Sequence, residues 1–228
     1  MHCESESCRV EELDQSNSGV TGDIESLRNL TSLQYLYLDN TGVRGDIESL
    51  QSLSKLWEVD LSGTEVRGDL ENLKHLTSLQ YLYLDNTGVR GDIESLRGLE
   101  HLEELYLGNT GVRGDLESLK HLTDLAELHL DSTGVTGDIE NLHSLTNLEY
   151  LHLGNTGVQG DIQSLEKLAK LRELCLDHTG AEGDIKVLLH FSALEVAKLR
   201  GTAVTGWISY EWDGQCRELR ELHLEVRA

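Results

Sequence analysis

Three side chains with metal and thiol chemistry recur at one interval. His129, His152 and Cys175 are each 23 residues apart, and Asp131 and Asp177 follow the first and the last of them by two residues. Imidazole, thiolate and carboxylate are the groups that zinc takes as ligands. A histidine beside a cysteine is also the pairing that activates a thiolate nucleophile. The interval itself argues against both uses. Ligands repeated at a constant spacing lie in a straight row, which does not close into a tetrahedron. The chain carries no recognised catalytic motif. The expectation is a protein that is not an enzyme and needs no cofactor, with His129, His152 and Cys175 as its metal candidates.

A second group offers contact chemistry. The chain has seven tyrosines, and six recur with that interval, Tyr37, Tyr83 and Tyr106 in its phase and Tyr35, Tyr81 and Tyr150 two residues before it. Asp60 lies in that phase, Glu58, Glu104 and Glu127 two residues before it, and Asp39, Asp85 and Asp131 two after. Tyrosine gives large contact area and a hydroxyl at little entropic cost, and is enriched at interfaces. Tyrosine among carboxylates suits a basic or mixed partner, through cation–π contact and charge pairing. Tyrosine also favours strands and packs on cross-strand neighbours, so a purely structural use is the competing reading.

The elements that must position these residues follow from the period. Gly22-Asp23, Gly45-Asp46, Gly68-Asp69, Gly91-Asp92, Gly114-Asp115, Gly137-Asp138, Gly160-Asp161 and Gly183-Asp184 recur every 23 residues. A fixed period of this size marks an array of stacked units. In the unit that starts at Leu30, the apolar sites are Leu30, Leu33, Leu36, Leu38, Val43, Ile47 and Leu50. Leu36 and Leu38 alternate with Tyr35, Tyr37 and Asp39, the period-two pattern of a strand with one buried face. One coil cannot bury seven apolar residues alone, but stacked coils bury them in a continuous interior beneath parallel strands. Ten such strands at about 4.8 Å each give a sheet on the order of 45 Å long. The tyrosines, carboxylates, His129, His152 and Cys175 then share its exposed face, with Cys175 pointing to solvent.

The string L-x-x-L-x-x-L-x-L-x-x-T-x-V-x-G-D-I, carried in phase over residues 7–228, resembles the leucine-rich repeat family, and its G-x-I tail is similar to the plant-type subclass. The resemblance implies an α/β-type solenoid: a right-handed coil with a parallel concave sheet and short 3₁₀ or turn segments on the convex side. It also implies that the concave sheet is the ligand surface. Two features depart from the family. Threonine (Thr41, Thr64, Thr87 and their equivalents) replaces the usual asparagine, and no proline follows the isoleucine. The threonine hydroxyl can still donate to a neighbouring coil's carbonyl and accept an amide proton. The glycine before the aspartate calls for a positive φ or a close backbone approach. The aspartate reads as the N-cap of a short helical turn, not as a calcium ligand. Arg44, Arg67, Arg90 and Arg113, two residues before it, offset part of the acidic repulsion.

The expected organisation is an N-terminal cap with a degenerate first repeat over 1–29, regular repeats over 30–206, and a C-terminal cap with the last strand over 207–228. Trp207, Ile208, Tyr210 and Trp212 break the consensus there, and Cys216 takes a leucine's place. The chain has 41 acidic residues against 19 basic ones, a formal charge of -22. Such a charge repels phosphate backbones and excludes nucleic acid as the natural partner. No apolar run is long enough to span a bilayer, and Met1 to Asp14 lacks the apolar core of a signal peptide. A soluble protein is expected, its compartment open between the cytoplasm, with Cys3 and Cys8 as free thiols, and an oxidising one. As in extracellular relatives, Cys3 and Cys8 could pair to cap the first coil, which would make it extracellular or lumenal. The degenerate first repeat is compatible with a fragment of a longer protein. The function expected is a protein or peptide interaction module; the alternative is a structural or scaffold subunit of a larger complex that uses edges, convex side or caps.

Overall fold

The computed structural model describes residues 9–206 and 219–224. The expected caps at Trp207, Ile208, Tyr210, Trp212 and Cys216, and the Cys3–Cys8 pair, lie outside the described residues. Among the described residues each of the first eight coils contributes a short strand to one parallel sheet of ten strands, then a second strand to another parallel sheet of nine, then a 3₁₀ turn; the ninth adds a strand to each sheet and the tenth one strand to the first. In the coil beginning at Leu30 these are Tyr35–Tyr37, Gly42–Asp46 and Ile47–Leu50. The first coil is built likewise, with Glu12–Asp14 pairing onto Tyr35–Tyr37, and Val10, Leu13 and Val20 packed against the interior. The array is the expected repeat solenoid.

The apolar ladders make one continuous core. Leu33, Leu36, Ile47 and Leu50 have no exposed surface, nor do their equivalents in the central coils. Each leucine withdrawn from water in this way stabilises the fold by roughly 1.5–3 kcal/mol. The core therefore has no room for substitution by function, and any chemistry must sit on the faces.

The second sheet was not expected from the sequence. Its signal was present in the alternation of exposed Gly42, buried Val43 and exposed Arg44. Its register also differs from that of the first sheet. In the first, residues 23 apart are partners, such as Tyr35 and Glu58. In the second, residues 21 apart are partners, such as Arg44 and Glu65. Adjacent strands there are sheared by two residues, about 6.6 Å along the chain. The shear sets Arg44 beside Asp23, Arg67 beside Asp46, Arg90 beside Asp69 and Arg113 beside Asp92. Each arginine so faces the acid of the preceding coil.

The aspartate caps its 3₁₀ turn as expected. Asp46 Oδ1 accepts from the Glu48 amide at 2.9 Å, and the same bond recurs at Asp23, Asp69, Asp92, Asp115 and onward. The same carboxylate explains the glycine before the next aspartate. Gly68 has φ +125, and a Cβ there would collide with Asp46 Oδ1 and Ile47. Both reasons for glycine hold at once. The threonine expectation needs correction: Thr41 Oγ1 donates to the carbonyl of Leu38 in its own coil, at 2.5 Å, and not to a neighbouring coil. The hydroxyl closes a local turn (Leu38 to Thr41) because it is one bond shorter than an asparagine amide. Its acceptor role is found where the Val89 amide approaches Thr87 Oγ1 at 3.4 Å.

Candidate functional site

The ten-stranded sheet gathers the candidate residues on one face. The strands Tyr35–Tyr37, Glu58–Asp60, Tyr81–Tyr83, Glu104–Tyr106, Glu127–His129, Tyr150–His152 and Glu173–Cys175 run side by side. In each, the middle residue is buried and the first is half-exposed. Register pairs Asp60 with Tyr83, Tyr83 with Tyr106, Tyr106 with His129, and His129 with His152.

The side chains on this face do not stand free. The third residue of one strand reaches diagonally to the first residue of the next. Tyr37 Oη donates to Glu58 at 2.7 Å and Tyr83 Oη to Glu104 at 2.5 Å. Tyr106 donates to Glu127 in the same way, and His152 Nε2 lies 3.1 Å from Glu173 Oε2. Tyr81 adds a bond of 2.9 Å to Glu103. These rings lie down over the sheet with their hydroxyls held by carboxylates. Burial and then the accepting carboxylate push the Tyr81 hydroxyl up to about 12, and those of Tyr37, Tyr83 and Tyr106 higher still. The hydroxyls are thus fixed donors.

Two aromatic rows result. Tyr35, Trp57 and Tyr81 pack edge-to-face, with centroids 5.4 and 4.8 Å apart. Trp57 was missed from the sequence, because it precedes its strand and lies outside the positions counted as exposed. The second row is Tyr83, Tyr106, His129 and His152, with centroids 4.9, 3.9 and 4.1 Å apart. Tyr150 sits apart, under the Arg172 guanidinium at 5.6 Å. Arg172 is itself held by Glu195, through Nε at 3.0 Å.

His129, like Asp60, makes no link of this kind. Its diagonal neighbour is Tyr150, which offers no carboxylate. Among the described residues its Nε2 is the buried side-chain nitrogen or oxygen without a hydrogen-bond partner. Glu127 Oε2, at 3.9 Å, is beyond hydrogen-bond reach and already accepts from Tyr106. Burial, and then the charge of His152, lower the His129 pKa to about 3, so the ring is neutral at physiological pH.

Beside the rings runs a row of aspartates. Asp39 Oδ2 accepts from Asn17 at 2.9 Å, and Asp85 Oδ1 accepts from the Gly108 amide at 2.7 Å. A Cβ at Gly108 would lie 2.9 Å from Asp131 Oδ1 and 3.0 Å from Asp85 Oδ1. Glycine at this point lets Asp85 take the backbone amide while Asp131 approaches the same Cα. Burial outweighs that amide and, helped by Asp131, pushes Asp85 up to about 6. Asp60 is also raised, chiefly by burial.

The metal and thiol candidates are rearranged. Cys175 does not point freely to solvent; it is 7% exposed. Its strand is flanked on both sides, with His152 and Lys198 as register partners, and these longer side chains cover the short thiol. Burial pushes the thiol up to about 12, which removes the activated thiolate that a neighbouring histidine suggested. His129 is engaged in the ring stack. The groups brought together are His152, Glu173 and Cys175, whose donor atoms lie within 4.8 Å of one another.

A family model described as a leucine-rich repeat region matches residues 47–227. No curated protein sequence matches the chain. Solved structures do. The ectodomain of the Arabidopsis receptor kinase HAESA, in complex with an N-terminally extended IDA peptide hormone, superposes with TM-score 0.80 at 23% identity, over 93% of this chain and 37% of that one. The plant peptide hormone receptor RGFR1, in complex with RGF2, gives TM-score 0.77 at 22% identity, over 94% and 40%. Internalin C2 of Listeria monocytogenes gives 0.65 at 26% identity, over 94% and 80%. The chain spans well under half the length of the two plant receptors. Among the described residues no helix is long and apolar enough to cross a membrane.

Proposed function

The chain belongs to the leucine-rich repeat family, and from that premise we propose that it is a non-enzymatic interaction module that holds a protein or peptide on the tyrosine and carboxylate face of its ten-stranded sheet. The observation that carries this reading is the diagonal relay. Four donor–carboxylate links, from Tyr37, Tyr83, Tyr106 and His152, and two aromatic rows hold bulky, half-exposed side chains in one conformation before any partner arrives. A surface ordered in advance loses little side-chain entropy on binding. The partner suited to it is basic or mixed in charge. Asp39, Asp85 and Asp131 border the rings, and the exposed ring faces offer cation–π sites. The plant receptors that superpose on this chain were solved with peptide hormones, and binding of that kind is in keeping with the fold.

The test is a selection of peptides from a displayed library on the whole chain. The selected peptides should be enriched in Lys and Arg, and Tyr81→Ala with Tyr83→Ala should abolish their capture while the circular dichroism of the fold persists. Peptides that bind the double variant as well as the parent would place the ligand surface elsewhere. The scaffold reading would then lead, with the exposed Arg44, Arg67, Arg90 and Arg113 row of the second sheet as its contact.

A further inference from the structure

We infer that His152, Glu173 and Cys175 form a binding site for a zinc-like divalent metal, with one coordination position open toward the exposed face of the ten-stranded sheet. The site goes beyond the peptide-binding reading and does not depend on it. A straight row of His129, His152 and Cys175 could not surround an ion. The diagonal relay changes the geometry. Glu173 comes from the first position of its strand and reaches back to His152, with Nε2 and Oε2 3.1 Å apart. Cys175, two residues on, is the register partner of His152. The three donors so make a triangle, all within 4.8 Å. Zinc holds nitrogen, oxygen and sulfur ligands at about 2.0–2.3 Å, which sets tetrahedral donors roughly 3.3–3.8 Å apart. The triangle needs only a small contraction.

The supporting frame is rigid. Leu151 and Leu174, the middle residues of the two strands, are fully buried, and both strands have paired neighbours on either side. Asp131 and Asp177 add negative charge around the thiol, opposed by Lys198. Coordination replaces the S–H bond of Cys175 by a sulfur–metal bond and releases its proton to solvent. Three protein ligands leave the fourth tetrahedral place for water or a partner's side chain.

The experiment is a cobalt(II) titration of the full chain without a histidine tag. One equivalent should produce a thiolate-to-cobalt charge-transfer band that zinc displaces. Cys175→Ser should remove the band. Glu173→Gln and His152→Ala should weaken binding at least about tenfold, while His129→Ala should bind as the parent does. Circular dichroism of each variant checks the fold, and Glu173→Gln, at a half-exposed position, keeps the test open if Cys175→Ser misfolds. Absence of the band overturns the site. So does a band that survives in Cys175→Ser, which would place it at Cys3, Cys8 or Cys216. Loss with Cys175→Ser but parental affinity in both Glu173→Gln and His152→Ala would reduce it to a lone thiol and overturn it equally.

Discussion

Tyr150 stands, relative to His129, where a glutamate stands relative to Tyr37, Tyr83, Tyr106 and His152. The relay is thereby interrupted here, as it is where Tyr81 follows Asp60 and bonds to Glu103 instead. The interruption leaves His129 Nε2 buried without a partner. It also frees Tyr150 to meet Arg172. An unsatisfied buried nitrogen costs about 1–3 kcal/mol, and the neutral imidazole keeps that cost from being larger.

Tyr150→Glu should restore the relay. A carboxylate at that position would accept from His129 and favour its charged form. The His129 pKa, about 3 in the parent, should rise by at least one unit, roughly the effect of a close carboxylate. An imidazole titration by NMR reads this directly. A value that stays near 3 would mean that burial and His152 alone set it. With the folded pKa raised toward or past 6.5, the stability that His129 costs on acidification should shrink, and the acid unfolding midpoint should move down.

Tyr83→Phe isolates one link. Glu104 would keep its half-buried place without its donor. Stability should fall by about 1–3 kcal/mol, the range for a partly buried acceptor left without its donor. The Glu104 pKa, already raised by burial and held down by this hydroxyl, should rise further. Urea unfolding and a carboxylate titration check both. If neither changes, water replaces the hydroxyl fully and the relay contributes nothing to rigidity.

Asp85 carries a pH dependence of definite sign. Its folded pKa is about 6, against an ordinary aspartate value of 3.8. The folded chain therefore binds more protons than the unfolded chain between those values. Its contribution to stability is greatest below the lower value, falls as pH rises to about 6, and is flat above. Asp85→Asn keeps an oxygen for the Gly108 amide and removes the charge. It should stabilise the chain at neutral pH by about 1 kcal/mol after discounting for solvent, and the gain should vanish below the unfolded pKa. Equal stability at both pH values would show that the Gly108 amide fully compensates burial.

The core was legible because each apolar position is repeated, so Leu36 and Leu38 could be set against their copies. The capping role of Asp46 was legible because a cap is a local bond between residues two apart. Cross-coil geometry was not. Asp131 and Glu127 were placed on the ligand face, yet nothing in their order shows that Tyr106 uses Glu127 as acceptor. Cys175 alternates like an exposed residue, but its burial is decided by the longer side chains beside it. Glu173 reaches His152 only because parallel strands bring the first position of one coil diagonally under the third of the last. The shear that sets Arg67 beside Asp46 is a relation between neighbouring coils, which no residue encodes singly.

The repeat's glycines divide into required and replaceable ones, and a pair of substitutions separates them. Gly91 has φ +117, and a Cβ there would press on Asp69 Oδ1 and lie 3.0 Å from the Leu70 amide nitrogen. The obstacle is the cap of the preceding coil, which cannot move without giving up its bond to Glu71 at 3.0 Å. Gly91→Ala thus combines an unfavourable φ with loss of a cap, and should cost about 2–4 kcal/mol. Gly98 has nothing within 4 Å of a built Cβ and no positive φ. Gly98→Ala should be neutral or stabilise by up to about 1 kcal/mol, by restricting the unfolded chain. Because each coil touches only its neighbours, Gly91→Ala should also localise its damage, raising hydrogen exchange first in the coils around Asp69 and Gly91. Parental stability of Gly91→Ala, or exchange that rises evenly along the array, would show that the aspartate cap and the glycine opposite it are not coupled.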